Sequence, residues 1–221
     1  MSKYVITFAK EGLLKYTSHL DMVRLFERTL KRAEIKLQYS QGFNPHPKLV
    51  FAQPLSLGYS AENEIVEIET KDDLAEAQLQ ESIAIKMPEG ITIKNVSKMT
   101  DKSKSLAALT KVAEYTIYFP EEAKFEAGIC EKFMAQDSIL VEKKQKKTGK
   151  LKEIDIKDMI FELEFFDSME NAEGAVLKTT VAQGSAQNLS PELLITAFLK
   201  FSGMQCGREE IDVVRNKLIF E

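Results

Sequence analysis

The chain has only two histidines, and both lie in polar, turn-forming segments: Ser18-His19-Leu20-Asp21 and Tyr39-Ser-Gln-Gly-Phe-Asn-Pro-His46-Pro-Lys48. Two imidazoles can divide general-base and general-acid work on an RNA 2′-hydroxyl and its leaving 5′-oxygen without a metal ion. Tyr39 or Lys48 would then stabilise charge on phosphorus. A loop with two prolines, a glycine and an asparagine holds its polar groups in few conformations, which suits a site. It equally suits a tight bend between a helix and a strand. Both a chemical and a structural use of His19 and His46 therefore stay open.

Between the two segments lies a basic helix. Ser18 is the expected N-cap, with Asp21 three residues on. Leu20, Val23, Phe26, Leu30 and Ala33 form one apolar stripe that predicts a helix over about 19–34. Asp21, Arg24, Arg28 and Lys31 or Arg32 recur on the opposite face. Guanidinium groups suit phosphate because they bond in pairs and stay charged, although the same face can be merely solvated. Asp21, Arg24, Arg28, Arg32, Tyr39, Gln41, Asn44 and Lys48 are the candidate RNA- or partner-binding residues. His19, Asp21, Arg24, Asn44, His46 and Lys48 are expected to gather on one concave surface. Lys146 and Lys147 join the binding set from Lys143–Lys152, which holds six lysines and no acid. That segment is a plausible phosphate-contacting loop, or a solubilising hairpin tip.

Charge supports a local rather than a general attraction to polyanions. The net charge is −4, but residues 1–60 hold nine Lys/Arg against four Asp/Glu, leaving −9 for the remainder. A basic N-terminal third can present a positive face on an acidic protein. Cys130 and Cys206 stand far apart, with no Cys-x-x-Cys pair, zinc pattern or iron–sulfur spacing. Free thiols point to the cytoplasm, no apolar run reaches membrane length, and the N-terminus reads as a strand rather than a signal peptide. Walker, dinucleotide, nucleophile-elbow and zincin motifs are absent. No cofactor or metal site is expected.

The elements that must position these residues follow from pattern. Residues 3–9 alternate as a strand. After the first helix, 48–52 and 64–70 read as strands, with a turn at 58–61. A second helix at about 73–86 is capped by Asp72 or Asp73, and 91–96 is a fourth strand. The order strand, helix, strand, strand, helix, strand is the split βαβ, or ferredoxin-like, pattern, with helices on one face and the other face free for RNA. A linker at 99–110 follows. Then come a strand at 114–119, a helix at 121–136, a strand at 138–144, extended pieces at 154–156 and 159–165 leading into another strand, a strand at 175–181, a helix from Ser190-Pro191 to about 201, and a closing strand or hairpin at 210–220. The expected fold is α+β, two tandem ferredoxin-like (βαββαβ) units with antiparallel sheets. The expected domains are 1–98 and 111–221.

Several motifs carry a resemblance. They are Phe8-x-Lys10-x-Gly12-x-Leu14, Ser18-His-Leu-Asp21, Arg28-x-Leu-x-Arg32-Ala33, the Tyr39–Lys48 loop and Ala52-x-Pro54-Leu55-x-Leu57-Gly58. Weaker ones are Ile154-Asp155-Ile-Lys157 and Ser190-Pro-Glu-Leu-Leu194. Together they resemble the uncharacterised bacterial radical-SAM-linked protein family over nearly the whole chain. Members typically sit beside, or fused to, a cobalamin-binding radical-SAM protein, often near a ribonuclease of the E/G type. The resemblance implies an accessory role with a radical-SAM partner and no cluster of the chain's own. Ser190-Pro191 stands where the family often has Arg-Pro, which weakens a phosphate role there. The tandem order is also similar to CRISPR-repeat RNA-processing endonucleases, by fold analogy. The leading expectation is an RNA-binding or substrate-presenting accessory protein. A metal-independent endoribonuclease or RNA-modifying enzyme using His19 and His46 is the alternative, and a protein–protein adaptor the second.

Overall fold

A computed structural model describes residues 2–99, 105–145, 149–167, 174–184 and 186–220. It is a mixed α+β fold with mainly antiparallel pairing. The chain divides into two compact units, residues 1–110 with 214–221, and residues 111–213. The last residues of the closing strand thus group with the first unit, although the sequence pattern assigns all of 111–221 to the second.

The first unit contains β1 (Ser2–Lys10), α1 (His19–Arg32), β2 (Leu49–Phe51), β3 (Ser60–Thr70), α2 (Glu76–Ala84) and β4 (Ile91–Lys98). β1 pairs antiparallel with both β4 and β3, and β2 pairs antiparallel with β3, giving the order β4-β1-β3-β2. Val214 and Arg215 of the closing strand run parallel to Ser60 and Ala61 at the start of β3. Alternation along β1 points Tyr4, Ile6 and Phe8 at one face, where Met22, Phe26 and Leu30 of α1 and Leu79 and Ile83 of α2 cover them. Burial of these side chains is the main stabilising term of the unit.

The acids of β3 break a simple apolar alternation, and their partners explain why. Glu64 on the helix-covered face pairs with Arg215. Glu67, on the opposite face, is 4% exposed, pairs with Lys3 and accepts from the Leu106 N–H. Leu106 opens α3 (Leu106–Leu109), a single turn capped by Ser105. This part of the expected linker, with the strand residue Thr110, is therefore ordered. Residues 100–104 lie outside the described residues. The free sheet face expected for RNA is covered at Glu67, because the chain after β4 turns back over it.

The start of α2 also differs from expectation. Its N-cap is Ala75, without a side-chain bond. Asp73 instead accepts from Ser2 Oγ (2.9 Å), Tyr4 Oη (3.1 Å) and Lys98 Nζ (2.6 Å), tying the start of β1 and the end of β4 to the helix entry. The buried Tyr4 hydroxyl also accepts from the Leu74 N–H at 2.7 Å.

The second unit holds β5 (Thr110–Tyr118), α4 (Ile129–Met134), β6 (Leu140–Lys144), β7 (Leu151–Asp155), β8 (Ile160–Phe166), β9 (Val176–Ala182), α5 (Pro191–Ser202) and the start of β10 (Asp212–Phe220). β9 lies between β5 and β8, all antiparallel, and β6-β7 form a separate hairpin. The helix expected over 121–136 is reduced to α4, because Gly128 sits in the left-handed region at φ 71° and breaks it. Phe125 then packs from the preceding loop against Phe119, Phe165 and Phe198, with ring centroids 5.0–5.5 Å apart. Ser190 precedes α5 without capping it by its side chain, and Pro191 occupies the first turn. Glu192 of that turn is held by the Arg208 guanidinium at 2.7–2.9 Å.

The Lys98 ammonium and the Ser2 and Tyr4 hydroxyls hold the Asp73 carboxyl down at about 2, from an ordinary 3.8. A depressed carboxylate stabilises the fold above its unfolded value and loses that contribution as pH falls through the folded one. Asp73→Asn should therefore be less stable than the wild type at pH 7, with the difference closing between about pH 4 and pH 2. Urea unfolding at several pH values measures it.

Candidate functional site

α1 sets the geometry of every candidate residue in the first unit. Ser18 Oγ accepts from the Asp21 N–H at 3.2 Å and donates to Asp21 Oδ2 at 2.7 Å, fixing the helix start. Met22, Phe26, Thr29 and Leu30 are buried, so Arg24, Arg28 and Lys31 face solvent. The helix ends with Glu34 at φ 59°, a conformation that L side chains rarely adopt. The chain then runs beside the sheet. Leu37 bridges Thr70, Tyr39 bridges Pro47, and the Lys71 N–H donates to the Lys36 carbonyl at 2.8 Å.

These turns leave an open groove of about 680 Å³ lined by Glu27, Arg28, Lys31, Glu34, Ile35, Lys36, Leu37, Tyr39, Pro47 and Lys71. Four cations face two carboxylates in it. Among the described residues Arg28, Lys31, Lys36 and Lys71 form no ion pair. Tyr39 at the rim is 49% exposed, and Phe43 in the adjoining loop is fully exposed.

The other cations of the sequence set are already engaged. Arg24 pairs with Asp21 at 3.1 Å. The Ser18 hydroxyl first, then Arg24 and Arg28, hold the Asp21 carboxyl below its ordinary range. Arg32 donates to Thr29 Oγ1 (3.1 Å) and to the Lys86 carbonyl (2.7 Å), closing the end of α1 onto the end of α2. Lys48 pairs with Glu69 at 2.6 Å. Gln41 and Asn44 are exposed in the loop. Lys146 and Lys147 lie outside the described residues.

The two histidines belong to opposite ends of α1. His19 stands at its first turn, half-buried, with its ring 5.4 Å from that of Phe51 and near perpendicular to it. Burial lowers its pKa, so the ring is neutral at neutral pH. His46 is exposed in the loop, where its N–H donates to Ser40 Oγ at 3.0 Å and its carbonyl accepts from the Ser40 N–H at 2.8 Å. Pro47, next to His46, lines a groove with Lys31 and Glu34 at the other end of α1, and a helix of 14 residues spans about 21 Å at 1.5 Å per residue. The alternative reading needs the two rings together as a general acid–base pair, whereas the structure sets their segments at opposite ends of α1. Asn44, His46 and Lys48 likewise do not gather with His19, Asp21 and Arg24.

At the His19 end the structure assembles a group that sequence reasoning missed. Lys10, Glu64 and Arg215 are 2%, 3% and 1% exposed. Arg215 Nε and Nη2 grip both oxygens of Glu64, and Nη1 and Nη2 reach the Pro54 and Gln53 carbonyls at 3.3 and 3.0 Å. The Lys10 ammonium donates to the Thr17 and Lys15 carbonyls at 3.2 and 3.5 Å. Burial above all, then Arg215, lowers its pKa, opposed by Glu64. The only sequence signal was Lys10 standing inside a motif and Glu64 at an inward strand position.

The thiols offer little reactivity. Burial pushes Cys130 up to about 12, with Glu131 and Glu164 adding to it. Burial, then Glu210, raises Cys206 as well. Among the described residues no cluster of three or more His, Cys, Asp or Glu side chains is placed to hold a metal ion. No helix there is long and apolar enough to cross a membrane.

Residues 3–191 match the family described as "Uncharacterized protein conserved in bacteria (DUF2344)". The chain belongs to this family. No protein of curated function matches it in sequence. Among solved structures, it is similar to a chain of the "Crystal Structure of a Cbf5-Nop10-Gar1 Complex", at 10% identity and a TM-score of 0.53. The likeness covers 97% of this chain and 48% of the other, so the present chain spans about half of that protein's length. At that identity the likeness describes the fold alone.

Removing one partner from the buried ion pair leaves the other charge stranded. Arg215→Met or Glu64→Gln should each lower unfolding stability by about 3–5 kcal/mol. The double substitution Glu64→Gln/Arg215→Met should cost less than the two together, because neither charge of the pair is left without its partner. Denaturant midpoints of the four proteins give the coupling.

Proposed function

We propose that this protein is an accessory module that holds single-stranded RNA, or a comparable flexible polyanion, in the groove at the C-terminal end of α1 and presents it to a radical-SAM enzyme. One observation carries the binding part: Arg28, Lys31, Lys36 and Lys71 line one groove without ion-pair partners among the described residues, with the half-exposed ring of Tyr39 on its wall and the exposed Phe43 in the loop between Tyr39 and Pro47. Proteins that hold single strands combine a positive groove for the backbone with aromatic faces on which bases stack. Surface cations are ordinarily spent on neighbouring carboxylates at little gain. Four left unspent around one depression, with stacking surfaces at its edge, suit such a strand. The radical-SAM partnership rests on the resemblance of the N-terminal motifs. On the same footing we read the architecture as two βαββαβ, ferredoxin-like units, supported by the order β4-β1-β3-β2 in the first. In the second, the sequence β5, α4, β8, β9, α5, β10 would be interrupted by the β6-β7 hairpin.

The separation of His19 from His46 favours presentation over cleavage by that pair. Binding of a fluorescent single-stranded RNA should weaken steeply with salt, by about 3 log units of affinity per log unit of salt if four phosphates are neutralised. Replacing Arg28, Lys31, Lys36 and Lys71 with Gln should flatten that slope. Tyr39→Ala should instead lower affinity by about 5- to 150-fold while leaving the slope unchanged, since one stacked base contributes about 1–3 kcal/mol. No binding at low salt, or binding indifferent to both changes, would turn the reading to a protein–protein adaptor.

A further inference from the structure

The other end of α1 holds a pocket that the RNA groove does not use. We infer that this pocket is a separate anion site, which takes the carboxylate or phosphate tip of a ligand against the Lys10 ammonium. Phe8, Lys10, Thr17, His19, Met22, Phe51, Gln53, Leu55 and Glu64 line it.

Three observations converge. The first is charge. Lys10, Arg215 and Glu64 are all more than nine-tenths buried, two cations to one anion. Glu64 gives both its oxygens to Arg215. Lys10 hydrogen-bonds only two neutral carbonyls, one of them at 3.5 Å, and feels Glu64 through space without a hydrogen bond. A buried charge is retained cheaply only when an opposite charge meets it. His19 does not change that balance, since burial keeps its ring neutral at neutral pH. The second is backbone. The pairing of β1 with β3 slips between Phe8 and Lys10. Irregularities of this kind re-aim a side chain, and here they put Lys10 on the pocket wall beside Phe8. The third is size. The enclosed space is about 20 Å³, room for a water or two rather than a ring. Only the terminal oxygens of a ligand fit, and Phe8, Phe51, Met22 and Leu55 offer an apolar wall to the atoms behind them. Lys10 thus does for an anion what Arg215 does for Glu64.

The test titrates the full chain with sodium acetate and with sodium phosphate at ionic strength matched by chloride. Amide resonances of residues 10–19 and the thermal midpoint are followed together. The expected result is a saturable shift with one of the two anions, weakened at least about tenfold in Lys10→Met, as loss of a charged hydrogen bond requires. Absence of any saturable shift in the wild type overturns the inference whether or not the variant folds. So does equal affinity in a folded Lys10→Met protein. The groove variant Arg28→Gln/Lys31→Gln should keep the anion response even if RNA binding proves absent, so the two readings fail separately. A 5′-phosphorylated oligonucleotide that competes with phosphate, when its 5′-hydroxyl form does not, assigns the anion to a nucleic-acid end. Competition by neither assigns it to a small molecule. Both outcomes support the site.

Discussion

The buried pair of Arg215 and Glu64 is the constraint on which the first unit rests. The two residues lie 151 positions apart, so the pair ties the closing strand back to β3 across most of the chain. Arg215 does three jobs at once. It neutralises Glu64, donates to the Gln53 and Pro54 carbonyls, and brings β10 alongside the start of β3. Burying two charges is costly and repaid only by good geometry and full hydrogen bonding, and the guanidinium fork supplies both. One consequence concerns assembly. The N-terminal unit contains the C-terminal strand, so its buried acid stays uncompensated until the last residues of the chain arrive. Everything in the second unit is an insertion into the first by this measure, whatever its own order.

α1 turns that scaffold into two different surfaces. Its apolar stripe is spent on the sheet, and the rest of the helix distributes its charges unequally along the axis. At the start, Asp21 consumes Arg24. At the end, Arg32 is consumed by a carbonyl of the neighbouring helix terminus. Between them Arg28 and Lys31 remain available, joined by Lys36 and Lys71 from the segments that the Leu37–Thr70 bridge draws together. The binding surface is therefore not the basic face of the helix as a whole. It is the part of that face which local partners have not already neutralised.

Much of this frame was legible in the sequence. Ser18 at the helix start, the 3.6-residue stripe and the Pro/Gly loop are local signals, and α1 begins one residue after its cap. What failed was decided at a distance. Asp73 looks like an N-cap but is drawn to Ser2, Tyr4 and Lys98, which sequence reading cannot bring together. The helix expected over 121–136 has the right apolar spacing. It is broken at Gly128, and Phe125 gains more from the aromatic cluster than from a helical turn. Glu64 and Glu67 lie on opposite faces of one strand, and each is buried against a counter-charge that comes from another part of the chain. Arg28 and Arg32 look equivalent at four-residue spacing, and only the position of the Lys86 carbonyl separates them.

The titratable groups divide along the same lines. General acid–base chemistry at neutral pH needs groups poised near 7 and within reach of the same atoms. His19 is held neutral by burial, His46 stands by the opposite end of α1, and both thiols are pushed above their ordinary range. In the pocket that His19 lines, Lys10 is perturbed as well, its burial working against its own charge. Such a group can relieve the penalty by losing its proton or by meeting an anion. The bulge that aims it, the room for only a few oxygens and the Glu64 already satisfied by Arg215 make the anion the more economical relief. On that argument the two ends of α1 are both sites for negative charge. The exposed groove suits a long, weakly held strand that salt displaces, and the buried pocket suits a single tip that salt screens little.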